Sequence, residues 1–389
     1  MRDATAIVGI GETEFYKRGQ SYPQTNYELA GKAVLAAVAD AGLSLQDVDG
    51  ITYYAYGAGI DSAVLAQVLG IPNLRWSVCV TGGGGGSAGA IGAAAAAVVA
   101  GMASVVVTVS TSQHLTSRTT AAFATPSNRG SHWDFVTPTG LVAPGQLFAM
   151  LARRHMHLYG TTREHFGAVA ISSRDNASRM PSAVRRVPIT MDDYLSSRMI
   201  ADPFCLFDYC QETDGAAACV TTSVDRARDL PRPPVLIRAA AQGGEGAWGQ
   251  GEEWLQMPDD YFAAAGYRAI ASDLYSRAGL GPADIDVVEL YDHFTGMVLM
   301  QLEDLGFCQP GESGPFALDG GIRWPDGQLP LNTHGGSHSH VNLNGMNHIV
   351  EAVRQMRGDA VNQVRGAETV LVSGGPGKLP MSALILTKA

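Results

Sequence analysis

The sequence predicts an α/β protein built from two similar halves, and three observations carry that prediction. A block of five glycines (Gly82 to Gly86) leads into SAGAIGAAAAAVVAG and then MASVVVTVS, ending at Ser110. A second set of elements near the C-terminus repeats the order and punctuation of the first. Between the two sets lies a stretch of different texture. No charged residue occurs between Arg75 and Arg118. Alanine is the strongest helix former, and its small side chain lets other elements approach closely. VVVTV is short and β-branched, as suits a fully buried strand.

Taken in order, the first strand is TAIVGIG, Thr5 to Gly11. Tyr27 to Ala41 then places Leu29, Ala33, Leu35, Ala36, Val38 and Ala39 at helical spacing and ends in AGLSLQDVDGITYY. The segment Tyr267 to Tyr291 follows the same plan, with AIASDLYSR running into AGLGPADIDVVELY. Both carry AGL (Ala41 and Ala278) and Asp-x-Asp (Asp47/Asp49 and Asp284/Asp286), a glycine helix stop and a turn ahead of a strand. Behind the first comes the glycine loop, the Ala helix and VVVTV. Behind the second come NTHGGSHSHVNLNG, MNHIVEAVRQMRG and TVLVSGG. Such repetition implies two α/β halves about a pseudo-twofold axis, with their second helices starting near each other and two glycine-bearing loops meeting in one pocket.

The domain reading is therefore 1–110 for the N-terminal half, 111–234 for an insertion of loops and short helices, and 235–389 for the C-terminal half. The insertion holds SRTTAAFATPSNRGSHWDF, the helix LFAMLARRHMHLYG and a proline-rich exit, LPRPP. Long non-repetitive insertions in α/β enzymes usually cover an active site.

Composition narrows the function. With 46% apolar and 16% charged residues this is an ordinary globular chain. The 37 acidic against 27 basic residues, net −10, argue against nucleic acid or an anionic membrane surface as the main partner. The N-terminus lacks a signal peptide's apolar segment, and glycines break the one long apolar run, so neither secretion nor a membrane span is expected. The five cysteines are odd in number and show no metal spacing with histidines, which fits a reducing cytoplasm. Cys205 and Cys210, in FCLFDYC, read as half-buried wall. The helix start after the glycine block offers unpaired N–H groups to an anion or a developing oxyanion. A plain core helix after a flexible loop fits the same residues.

TAIVGIGET at the start, the buried Ala helix, YDHF at Tyr291, HGG at His334 and VSGGPG at Ser373 together resemble the thiolase superfamily, in its lipid-transfer-protein, sterol-carrier-type branch. The resemblance implies a five-layered αβαβα fold, a homodimer and acyl-CoA thioester substrates. Thiolases use a nucleophilic cysteine at the start of the first buried helix, a GHP histidine and a second cysteine in CxG. The corresponding positions here are Gly84 to Ala88, Asn342 and Ser373, and all three elements are absent. No covalent acyl-enzyme is expected. The branch includes steroid side-chain aldolases that lack the thiolase cysteine and cleave a β-hydroxyacyl-CoA by retro-aldol reaction, using tyrosines. Tyr291 matches one such tyrosine. The other falls at Asn342, so either His340 or another residue takes over its proton transfer, or the chain serves another substrate or has little activity.

What remains is a polar set: Tyr291, Asp292 and His293 after the strand VVEL, and His334, His338, His340, Asn342, Asn344 and His348 before and into the last helix. The resemblance assigns catalysis to Tyr291, tuned by His293, with His334 stabilising an enolate and His340 and Asn342 at the second proton-transfer position. Gly84, Gly85, Gly86, Ser87, Asp292, Asn344 and His348 would line the substrate. A blander reading stays open. His338 and His340 alternate like an extended segment that bonds loop carbonyls, and His348 fits a helix face. The H-x-H spacing lacks the closure of a zinc motif. No metal or organic cofactor is expected, coenzyme A being part of the substrate. Relatives of this kind work with a small OB-fold partner, often with a zinc ribbon, in a heterotetramer. The aromatic segment GEGAWGQGEEWLQMPDDYF (244–262) fits such an interface or packing on its own core equally well. The non-enzymatic alternative is a thiolase fold that holds acyl-CoA or lipid, or supports a partner subunit. Clustered titratable groups favour the enzyme.

Overall fold

The computed structural model describes residues 2–54, 60–81, 84, 86–114, 137–244, 262–377 and 380–389. Among the described residues nine strands make one path: β1 Thr5–Glu12, β2 Gly50–Tyr54, β3 Trp76–Val80, β4 Val105–Ser112, β5 Thr213–Ser223, β6 Val235–Gly243, β7 Val287–Glu289, β8 Thr369–Gly374 and β9 Met381–Lys388. Their order is β7-β8-β9-β6-β1-β5-β4-β2-β3. Read outward from the centre, one half runs β1-β5-β4-β2-β3 and the other β6-β9-β8-β7. A parallel bridge between Val288 and Leu331 stands where a fifth strand of the second half would lie. The halves join through the antiparallel pairs Ala6–Leu236 and Ile7–Val235.

The shared Asp-x-Asp motif does the same work in each half. Asp49 accepts the main-chain N–H of Ser104 and Val105 at 2.8 and 2.9 Å, fixing the start of β4. Asp286 accepts those of Glu368 and Thr369 at 2.9 and 3.0 Å, fixing the start of β8. The first aspartates, Asp47 and Asp284, cap their own turns at Ser44 and Gly281. The repeat is thus one of hydrogen-bond function as well as of order.

Helices α1 (Asn26–Asp40), α2 (Ser87–Val99), α3 (Pro144–Tyr159), α4 (Arg163–Arg179), α5 (Arg268–Ala278), α6 (Thr295–Asp304) and α7 (Met346–Arg357) fill the layers. α1 covers β1, β4 and β5, while α5 covers β6 and β9. α2 and α7 touch strands of both halves and form the middle layer of αβαβα. Strand alternation divides the core accordingly. Ala6 and Val8 pack with Leu29, Ala33 and Ala37 of α1, whereas Ile7 packs with Ile91 of α2 and Ile349 of α7. The small residues of α2 are buried from Ser87 to Ile91, which is what its composition predicts.

The segment 111–234 differs from its expected texture of loops and short helices. α3 spans 16 residues, from Pro144 at its first turn to a left-handed Gly160, and α4 spans 17. α4 escapes a periodicity reading because it buries Ser172, Ser173 and Asn176 as well as apolar residues. The same segment carries β5, whose run of alanines is buried on both faces and shows little β-branching. Of the aromatic segment 244–262, all but Gly244 and Phe262 lies outside the described residues. Among the described residues no helix is long and apolar enough to cross a membrane.

Candidate active site

The end of β7 is held by Asn332, whose left-handed backbone (φ 47°) aims its amide at Leu290. Asn332 Oδ1 accepts the Leu290 N–H at 2.8 Å and Nδ2 donates to its carbonyl at 2.9 Å. Tyr291 follows. Its N–H donates to Ser373 Oγ at 3.0 Å, and its carbonyl accepts from Gln301 Nε2 at 2.9 Å. Ser373 Oγ donates in turn to Gln301 Oε1 at 2.6 Å. Ser373, which the sequence resemblance sets at the second thiolase cysteine, thus serves as a backbone clamp.

The loops of the two halves meet here, as the repeat requires. Ser87 Oγ donates to the Asn344 carbonyl at 2.7 Å, tying the start of α2 to the loop before α7. The Gly375 N–H donates to the Gly84 carbonyl at 2.7 Å. A Cβ built on Gly84 would lie 3.1 Å from the Tyr291 hydroxyl, so the loop and the phenol are in direct apposition. Gly85 lies outside the described residues; Gly86 caps α2, whose first turn receives no side-chain cap. Asn342 Nδ2 donates to Cys210 Sγ at 3.4 Å, and its Oδ1 accepts the Asn344 N–H at 3.2 Å.

Beneath Tyr291 lies a buried network of carboxylates and imidazoles. Asp292 is fully buried. Its Oδ1 accepts the Ser337 N–H at 2.7 Å and His348 Nε2 at 3.1 Å. Its Oδ2 accepts the His338 N–H at 3.2 Å and His338 Nδ1 at 2.9 Å. The other nitrogen of His338 donates to the Asp208 carbonyl at 3.0 Å. His348 Nδ1 faces Glu289 Oε2 at 3.4 Å. Both rings therefore meet only acceptors among these partners and are held as imidazoliums. Burial alone would raise the Asp292 carboxyl, but His338 and His348 hold it well below the usual range. Burial likewise opposes charge on His348, and Asp292 and Glu289 overcome it, pushing the ring up to about 9. Burial would raise Glu289 too, yet His334 and His348 bring it down to about 2.

The His348 clamp contributes stability in full below its ordinary 6.5 and loses it as pH rises through about 9. Facing it are Asp292, Glu289, the His334 ring at 5.0 Å and the Tyr291 ring at 6.2 Å. In denaturant titrations the stability gap between wild type and His348→Gln is expected to be widest near pH 6 and to close above about 9. Loss on the acid side begins as pH falls below 4.5 and runs toward the Glu289 value of about 2.

His338 and His340 do not alternate on an extended segment. Gly336–His340 is a single π-turn, closed by the Val341 N–H on the Gly336 carbonyl at 3.3 Å. Gly335 and Gly336 take positive φ, and Asp292 gathers the exposed N–H groups of the turn. A Cβ on Gly336 would sit 2.1 Å from Asp292 Oδ2, so the turn and the carboxylate fit only with glycine between them. His340 is buried, with Nε2 on Ser182 Oγ at 2.8 Å and its ring edge-on to Phe15; burial keeps it neutral. His334 is also fully buried, Nδ1 lying 3.0 Å from Glu289 and Nε2 accepting from Asn347 Nδ2 at 3.2 Å. Both its nitrogens face protein groups, which places it inside the network. His348 belongs to the network as well, on the first turn of α7.

His293 is different. It is half-buried, its ring stacks on Tyr291 at 5.3 Å (22°), and Phe148 of α3 packs edge-on to it at 4.4 Å. Burial lowers it to about 3, so the ring is neutral, and its Nδ1 has no hydrogen-bond partner among the described residues. The neutral imidazole thus packs face to face on the phenol ring and leaves Nδ1 to accept a hydrogen bond from a bound group.

Sequence reasoning missed Glu289, Asp208, Gln301 and the reach of Cys210 into the site. For Glu289 a signal existed: a lone acid inside the apolar VVEL. Glu289, His334 and His348 bring three donor atoms within 4.8 Å, a spacing that a metal ion would accept. The ion pairs already described account for the same approach.

This is the site of a thiolase-fold protein, and the comparisons agree. Residues 5–225 match the thiolase N-terminal domain and residues 247–388 the thiolase C-terminal domain-like family. The chain belongs to the thiolase family. It is 42% identical to the 17-hydroxy-3-oxo-4-pregnene-20-carboxyl-CoA lyase of Mycobacterium tuberculosis, over 98% of each chain. It is also 42% identical to a steroid side-chain-cleaving aldolase of Thermomonospora curvata, over 98% of this chain and 97% of that one. A solved structure described as an Ltp2-ChsH2(DUF35) aldolase superposes with a TM-score of 0.92 at 40% identity, covering 100% of this chain and 98% of that one.

Proposed function

We propose that this protein is an acyl-CoA carbon–carbon lyase that cleaves a β-hydroxyacyl-CoA of steroid side-chain type by retro-aldol reaction. One observation carries the reading: Tyr291, with neutral His293 stacked on it, lies against Gly84 where both glycine-bearing loops meet, and that loop contains no cysteine. The names of the lyase and aldolase relatives support it.

In this mechanism the β-hydroxyl proton passes to the Tyr291–His293 pair as the Cα–Cβ bond breaks and a ketone leaves. The bonding electrons move onto the thioester as an enolate. The uncapped first turn of α2, with Gly84 and Gly86 leading into it, supplies main-chain donors for that oxyanion. The Asn342 amide lies close by, lightly held by a sulfur acceptor that a substrate oxygen can replace. Asp292, His338 and His348 stay inside the protein and fix the pair. The Tyr291–His293 pair then returns the proton to the enolate at Cα, which releases the shortened acyl-CoA and restores the pair. No metal or organic cofactor takes part in this scheme.

Thiol chemistry is not required. Cys79 is exposed on strand β3, and burial pushes Cys210 up to about 12. Iodoacetamide at neutral pH is therefore expected to leave turnover in place, and intact-mass spectra during turnover should show no acyl adduct. An acylated cysteine would end the non-covalent reading.

The active assembly we propose is a cytoplasmic homodimer, joined by a small OB-fold partner in a heterotetramer. The aldolase structure's name points to such a partner. β3 pairs with β2 along one side, and Val99 and Met102 are half-exposed nearby, at 51% and 53%. Sedimentation at micromolar concentration should give twice the chain mass. A monomer would remove the dimer from the proposal.

A further inference from the structure

The segment Asp208–Thr213 reaches from the insertion into the site as a strap, and its bonds go to the groups flanking the candidate catalytic side chains. The Cys210 N–H donates to the His293 carbonyl at 3.0 Å, and the Gln211 N–H donates to the Ser337 carbonyl at 2.9 Å. Gln211 Nε2 donates to the His338 carbonyl at 2.7 Å. The Asp208 carbonyl holds His338 Nε2, and Thr213 Oγ1 accepts the Asn342 N–H at 2.9 Å. A shift of the strap therefore moves His293, the π-turn and Asn342 together.

The strap is anchored at its first residue by three groups. Tyr194 Oη donates to Asp208 Oδ1 at 2.7 Å, Thr295 Oγ1 donates to the same oxygen, and the Cys205 N–H donates to Oδ2 at 2.6 Å. Tyr194, Asp208 and Thr295 are all fully buried. Thr295 opens α6, two residues after His293, so the anchor grips the strap and the catalytic segment at once.

We propose that Tyr194, Asp208 and Thr295 form a positioning unit for the reaction, acting through the strap on His293, His338 and Asn342. The proposal rests on the retro-aldol reading of Tyr291 and His293, and it adds residues that touch no substrate. A displacement of about 1 Å in such a unit can cost on the order of 100-fold in rate. Losing one of the two donors on Asp208 Oδ1 should cost less, roughly tenfold in kcat.

The test compares Tyr194→Phe, Thr295→Val and Thr295→Ser in the full chain with its partner, using the β-hydroxyacyl-CoA that wild type cleaves. Thr295→Val keeps the shape of threonine without its hydroxyl, and Thr295→Ser restores the donor. Expected are roughly tenfold falls in kcat for Tyr194→Phe and Thr295→Val with KM within twofold, and recovery of most of the loss in Thr295→Ser. Nitrogen-15 spectra of the histidines at pH 7 should show His338 doubly protonated in wild type and less completely so in Thr295→Val. Unchanged kcat in Tyr194→Phe and Thr295→Val overturns the proposal. So does a loss that Thr295→Ser fails to recover, or one shared equally between kcat and KM, since either marks a purely structural role. Tyr291→Phe is run beside them. Should it stay active while the anchor variants lose kcat, the retro-aldol role of Tyr291 fails and the positioning unit stands.

Discussion

Tyr291→Phe is expected to lower turnover by ~10²–10⁴-fold, the range of a positioned acid–base group, while acyl-CoA binding stays near wild type. The phenol oxygen is the only atom removed. The ring keeps its stacking with His293 and its T-shaped approach to His348. The backbone clamp by Ser373 and Gln301 is untouched, because it uses the main chain of Tyr291. Stability should fall by about the net value of one hydrogen bond, ~1 kcal/mol, visible as a small change in Tm. His293→Ala should also reduce turnover, by withdrawing the open Nδ1 beside the phenol. Full activity in Tyr291→Phe would reduce the tyrosine to packing and bring the acyl-CoA-binding reading forward.

Asp292→Ala should act in the opposite way, on folding first. It removes the one carboxylate shared by two buried imidazoliums and by the main-chain N–H groups of Ser337 and His338. Breaking a buried pair by deleting one partner typically costs ~3–5 kcal/mol, because the remaining charge stays buried. Chemical denaturation should show that loss at pH 6, where both rings are charged in wild type. Raising the pH should narrow the gap, since the rings of the variant can shed their protons at lower cost to the fold. A loss under ~1 kcal/mol at pH 6 would mean that the imidazoliums do not depend on Asp292. Gly336→Ala attacks the same joint from the other side, since its Cβ would collide with Asp292 Oδ2.

These two residues also show what a sequence can reveal. The location of Tyr291, Asp292 and His293 was legible because they follow an apolar strand in a motif that a family shares, but Asp292, expected to line the substrate, turns into the buried network instead. The fold was legible through punctuation: Asp49 and Asp286 bind equivalent strand starts, so the repeat of Asp-x-Asp reports equivalent geometry. The roles within the histidine cluster were not legible. His334, His338 and His348 look alike in the sequence, and only the positions of Glu289, Asp292 and the Asp208 carbonyl distinguish them from His293. Asp208 itself lies 130 residues from His338, in an insertion with no periodicity to mark it. Spacing along the chain carries no trace of such a contact. The π-turn was hidden for a related reason. H-x-H alternation suggests extension, and the turn exists because Asp292 collects its N–H groups from another segment.

The most direct test of the account is product analysis. Purified protein, alone and with its small partner, is incubated with steroid-type β-hydroxyacyl-CoAs while mass spectrometry follows the free ketone, the shortened acyl-CoA and the intact mass of the chain. Ketone and shortened thioester are expected in equal amounts, with the protein mass unchanged throughout. A chain that binds the thioesters and releases no ketone in either preparation, or that carries an acyl group on a cysteine as it turns over, contradicts it.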